Sequence, residues 1–124
     1  MGRVRDGFVK VAAATPHVKV GNCDSNIDSI ITLAQQASER GASIVLFPEL
    51  SVTGYSCGDL FRQQGLLSAA EEALQKLVCS VTEAVVVVGM PIIYNSALYN
   101  CAVVVCQGVI CGVVAKSYNT DAIF

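Results

Sequence analysis

Apolar positions fall along this chain in two rhythms. Phe8-Val-Lys-Val-Ala-Ala-Ala14 is a nearly continuous apolar run that Thr15-Pro16 breaks, which predicts a first, mostly buried strand. A loop through His17 to Gly21 follows. Side chains from Asn22 to Asp24 can then cap a helix, and Ile27, Ile30, Ile31, Ala34 and Ala37 recur at helical spacing until Gly41 stops it. Ile44 to Phe47 predict a short buried strand that must end at Pro48, because proline has no N–H to give a ladder. Leu66, Ala70, Ala73, Leu74 and Leu77 line one face of a second helix, with Glu71, Glu72 and Lys76 on the other. A third strand is predicted from Ala84 to Val88, closed by Gly89.

Beyond Gly89 the rhythm changes. Met90 to Tyr94 extends away, Asn95-Ser96 marks a turn, Leu98 to Cys106 is a second long apolar run, and Gln107-Gly108 turns into Val109 to Ala115. Strand, helix, strand in the first half is the βαβ pattern of a parallel sheet, while the last third reads as antiparallel hairpins. The expected fold class is α/β, a mixed sheet with a parallel βαβ start and antiparallel carboxyl-terminal hairpins. With no linker, low-complexity segment or fixed-period repeat, residues 1–124 form one domain or part of one.

Composition narrows the classes. A hydrophobic fraction of 53% with 15% charge gives a chain of 124 residues enough apolar surface for a real core. A net charge of −2, with Lys and Arg scattered singly, leaves no electrostatic footprint for nucleic acid. No apolar run approaches the roughly 18 to 20 residues that cross a bilayer, and no signal-type segment follows the amino terminus. The expectation is therefore a cytoplasmic protein, its six cysteines (Cys23, Cys57, Cys79, Cys101, Cys106, Cys111) free thiols rather than a disulfide framework.

Candidate chemistry concentrates between Ser43 and Asp59, where an apolar run ends abruptly on Glu49. In open α/β sheets ligands gather outside the carboxyl ends of the strands. A carboxylate there, beside Phe47 and Leu50, suits a general base, and a solvated loop glutamate is the plainer alternative. Lys116 also ends an apolar strand, where an ammonium could stabilise an oxyanion or simply stand in water. Cys57, in the loop after Glu49, is a conceivable activated thiol. Cys101, Cys106 and Cys111, spaced by five, match no metal signature and read as small buried hydrophobes, so no metal site is expected. His17, the single histidine, would have to serve any Ser-His or Cys-His arrangement. Gly54, Gly58 and Gly89 read as turn glycines, because no phosphate-cradling glycine pattern occurs.

Phe47-Pro-Glu-Leu50, Thr53-Gly-Tyr55, Gly89-Met-Pro91 and Lys116 after a hairpin strand together resemble the nitrilase (carbon–nitrogen hydrolase) superfamily. The continuation to Ser56-Cys-Gly-Asp-Leu-Phe61, with Phe8 to Ala14 and Asn100-Cys-Ala-Val-Val104, is similar to the amino-terminal glutaminase domains of bacterial glutamine-dependent NAD synthetases. That resemblance implies part of an α/β/β/α sandwich. It implies a Glu-Lys-Cys triad that hydrolyses glutamine, with Glu49 as general base, Lys116 stabilising the oxyanion and Tyr55 in the substrate pocket.

It also implies that ammonia passes to a separate synthetase domain, which uses ATP and Mg, so that no cofactor is expected in this chain. The family's nucleophilic cysteine lies downstream of the lysine and has no counterpart here. The run Asn119 to Phe124 departs from the family after Tyr118. The expectation is a truncated, frameshifted or cut glutaminase domain, inactive alone, that oligomerises or is completed by another chain. A fragment of another small-amide amidase, or a non-catalytic oligomerising module, is the alternative.

Overall fold

The computed structural model describes residues 4–5, 7–54, 63–80 and 83–116. Among the described residues nine elements follow one another: β1 (Val4–Arg5), β2 (Phe8–Val9), β3 (Val11–Ala13), α1 (Cys23–Glu39), β4 (Ile44–Leu46), α2 (Gln64–Cys79), β5 (Val85–Tyr94), β6 (Ala97–Cys106) and β7 (Val109–Ala115). The last seven build one layer of helices on a five-stranded sheet of order β3-β4-β5-β6-β7. β3, β4 and β5 run parallel; β5, β6 and β7 form an antiparallel meander. β5 is the seam between the two halves.

Local chemistry explains the boundaries. Asn22 caps α1 by accepting the Ser25 N–H at 3.0 Å. Its end is a Schellman turn: Gly41, at φ +89°, donates to Ser38 O, and Ala42 donates to Ala37 O. Both hairpins turn on residue pairs with positive φ, Asn95-Ser96 and Gln107-Gly108, the geometry that matches the twist of the strands they join.

The alternation of the strands decides what is buried. Val45, Val86, Val88 and Val103 face the helices and are at most 1% exposed, packed with Ile27, Ile30, Leu74 and Leu77. Ile44 and Leu46 face the other way and are 38% and 52% exposed. One face of the sheet is thus a closed core, and the other is open among the described residues.

Three expectations are corrected. The first strand divides at Lys10: Phe8–Val9 pairs back on Val4–Arg5, and only Val11–Ala13 joins the main sheet. The Lys10 ammonium meanwhile reaches Arg40 O at 2.6 Å. Gly89 does not close the third strand, because β5 runs through it and through Pro91 to Tyr94. β4 ends opposite Val87, so beyond that point β5 keeps its ladder with β6 alone and tolerates a proline. Cys106 and Cys111 are not free thiols. The hairpin brings their Cα atoms to 6.3 Å beside a register shift between Val104 and Val105, and they form a disulfide.

Candidate active site

β4 delivers the chain to the site. The Phe47 N–H still pairs with Val87 O at 2.9 Å, Pro48 ends the ladder, and residues 49–53 fold into a tight turn. That turn is anchored below the surface, with Leu50, Val52 and Thr53 fully buried and Leu50 in the left-handed region at φ +53°. Gly54 N–H returns to Leu50 O at 2.7 Å, and Val52 N–H reaches Gly89 O at 3.1 Å.

Gly89 is a glycine for a reason other than a turn. A Cβ on it would lie 2.3 Å from the Leu50 nitrogen and 3.0 Å from the Glu49 Cα. The backbone carrying Glu49 can settle against β5 only because position 89 has no side chain. Asn26 of α1 holds the same turn from the far side. Its amide donates to Lys19 O at 2.8 Å and Val52 O at 2.9 Å, while its Oδ1 accepts the Lys19 N–H at 2.7 Å. The amide is wholly buried with each of these groups paired.

Held this way, the Glu49 side chain meets two residues of the meander. Its Oε1 accepts a hydrogen bond from Asn100 Nδ2 at 2.8 Å and lies 3.3 Å from Lys116 Nζ. The register of β6 and β7 sets Cys101 opposite Ala115, and the Lys116 N–H continues that ladder onto Asn100 O at 2.9 Å. The three side chains border a cleft of about 320 Å³, lined also by Leu46, Phe47, Gly89 and Ala115. Carboxylate and ammonium are each more than a third exposed, so the pair adds little stability.

Both charged residues that the sequence singled out are therefore brought together. Tyr55 and Cys57 lie outside the described residues. His17 lines a separate surface hollow with Asp28 and Thr32 and stands apart from the Glu49 cleft. Cys101 shares the parity of Val103 and Val105, is 4% exposed, and burial pushes its thiol above the usual range, which makes it a poor nucleophile. Among the described residues no group of three His, Cys, Asp or Glu could hold a metal, and no helix is long and apolar enough to cross a membrane. Sequence reasoning missed Asn100, Asn26 and the role of Gly89. The available signal was a single amide inside the apolar run Leu98 to Cys106.

Comparison with known proteins bears on the fold and the family. The carbon-nitrogen hydrolase family model matches residues 10–118. The glutamine-dependent NAD(+) synthetase of Mycobacterium tuberculosis is 42% identical over 114 residues, covering 90% of this chain and 17% of that protein. The protein of the same description from Xylella fastidiosa is 36% identical over 96 residues, covering 73% of this chain and 18% of its own. This chain thus spans less than a fifth of the length of these relatives.

Among solved structures, a glutamine-dependent NAD(+) synthetase from Cytophaga hutchinsonii superposes with a TM-score of 0.85 at 26% identity, over 91% of this chain and 20% of that one. An amidase from Nesterenkonia shares the fold, with a TM-score of 0.77 at 21% identity over 95% of this chain and 46% of its own. A glutamate and a lysine converging at the mouth of a mixed sheet, on a sequence matched from residue 10 to residue 118, lead to one assignment: the chain belongs to the carbon-nitrogen hydrolase family.

Proposed function

We propose that this chain is the amino-terminal part of the glutaminase domain of a glutamine-dependent NAD synthetase, and that it supplies the base and the cation for hydrolysis of the glutamine side-chain amide. The observation that carries this reading is the convergence of Glu49 and Lys116 on one cleft in a chain 42% identical to such a synthetase. In this reading a thiol gives its proton to Glu49 and its sulfur attacks the amide carbon. Lys116 stabilises the oxyanion, the proton passes from Glu49 to the departing ammonia, and water then cleaves the thioester.

The described cysteines do not furnish that thiol, since Cys23 is buried at the start of α1, Cys101 is buried on the core side of β6, Cys106 is joined to Cys111, and Cys79 ends α2. The nucleophile comes from a completing segment, and Tyr55 contributes to the pocket. The open sheet face, where Leu46 is exposed beside the cleft, supports the same reading, because it offers apolar surface to a completing layer or to a second copy. ATP and Mg act in the synthetase domain rather than here. A cytoplasmic setting belongs to the same reading.

The test is a chimera in which residues 1–118 replace the matching segment of the Mycobacterium tuberculosis synthetase. Ammonia release from glutamine is expected, falling by about 100- to 10,000-fold in Glu49→Gln. A folded chimera that spares glutamine yet hydrolyses a small aliphatic amide would point to an amidase instead. The isolated chain is expected to release no ammonia, and turnover abolished by Cys57→Ser would move the nucleophile to Cys57.

A further inference from the structure

We propose that Asn100 is a positioning residue that gives the two oxygens of Glu49 different jobs, Oε1 as the anchored oxygen and Oε2 as the one that receives the proton. The inference rests on the reading of Glu49 as the base. Asn100 is 6% exposed in the middle of β6, so its side chain is fixed by packing, whereas Glu49 and Lys116 are exposed. An exposed ion pair between two long side chains is screened and samples several geometries. It cannot by itself hold a carboxylate in one rotamer. A short amide donor on a buried strand can, and the Asn100 Nδ2 contact at 2.8 Å is shorter than the 3.3 Å from Lys116.

The same residue places the cation. Asn100 accepts the Lys116 N–H on its own carbonyl at 2.9 Å, so its main chain sets where Lys116 leaves the sheet while its side chain sets where Glu49 points. Among the described residues both contacts on the carboxylate fall on Oε1, which leaves Oε2 available to the reacting proton. In the transfer the thiol S–H bond breaks, an O–H bond forms at Oε2, and the electron pair stays on sulfur. Asparagine is the residue that fits the place. Aspartate would set a second negative charge against Glu49, and leucine would fill the space without donating.

The geometry is tested in the intact 124-residue chain. In nitrogen-15 spectra the Asn100 side-chain amide is expected to shift between the parent and Glu49→Gln, because the substitution replaces the carboxylate it donates to by a neutral amide. The Asn26 amide, bonded to Lys19 O and Val52 O, should stay in place as the control. An Asn100 amide indifferent to the substitution overturns the proposal.

The consequence for rate is tested in the chimera described above. Asn100→Leu is expected to lower kcat by about 10- to 100-fold with KM nearly unchanged. Asn100→Asp should recover activity relative to the parent as pH falls, because a protonated aspartate donates as the amide does, whereas Asn100→Leu should recover none. An active parent with unchanged kcat in Asn100→Leu overturns the positioning role, while a parent inactive on glutamine overturns the proposed function and leaves the spectrum to decide the geometry. Should Asn100→Leu lose its near-ultraviolet circular dichroism, Asn100→Asp and the spectrum decide in its place.

Discussion

Val45 and Leu46 are neighbours on β4, yet Val45 is wholly buried and Leu46 is half in water. The difference runs across the whole sheet. On the helical side Val86, Val88, Met90 and Val103 join Ile27, Ile30 and Leu77 in a closed core. On the other side Leu46, Val87, Ala102 and Val114 line the cleft where Glu49 and Lys116 meet. Strand alternation makes both faces from one sequence. The covered face carries the stability, and the open face carries the candidate chemistry on apolar ground that has no covering layer among the described residues.

Substitutions can break this contrast. Ile30→Ala removes a fully buried side chain from the covered face and is expected to cost about 2 to 5 kcal/mol in urea unfolding. Leu46→Ala on the open face should cost less than about 1 kcal/mol; equal costs would show that the open face is covered in solution. Gly89→Ala, which drives a methyl group against the Leu50 nitrogen, should cost about 1 to 3 kcal/mol in the same measurement and disturb the Glu49 turn more than the helices.

The smallest effect belongs to Lys76, whose ammonium bridges the helices to Asp28 at 2.5 Å and Asp24 at 3.4 Å. The hydrogen bond to Asp28, chiefly, raises its pKa above 10.5. A raised value means the folded state holds the proton more tightly than the unfolded one, so the contribution is fully present below about 10.5 and is lost as pH rises through the folded value. The melting-temperature gap between the parent and Lys76→Met should therefore be small at neutral pH and close only under alkaline conditions.

Much of this architecture can be read without coordinates, because periodicity reports burial directly. The recurrence of Ile27, Ile30 and Ala34 marks α1, and the pairs Asn95-Ser96 and Gln107-Gly108 mark the hairpins. What a local reading loses is contact made at a distance. Gly89 and Pro91 look like breakers until one sees that β4 has ended beside them and that the Glu49 turn packs on Gly89. Glu49 and Lys116 were legible as charges that end apolar strands. Asn100 was not, since only the strand register shows that it faces Glu49. Cys106 and Cys111 were misread for a similar reason: spacing along one strand says nothing of two strands folded against each other.

The seam at β5 also bears on the order in which the molecule assembles. β5, β6 and β7 are joined by two-residue turns, so their pairing closes short loops, whereas β3, β4 and β5 must each wait for a helix-length crossover. Asn100 and Lys116 belong to the fast, local unit and Glu49 to the slow one. The cleft is therefore expected to form last in folding, when the crossover unit docks onto a meander that already presents its amide and its lysine.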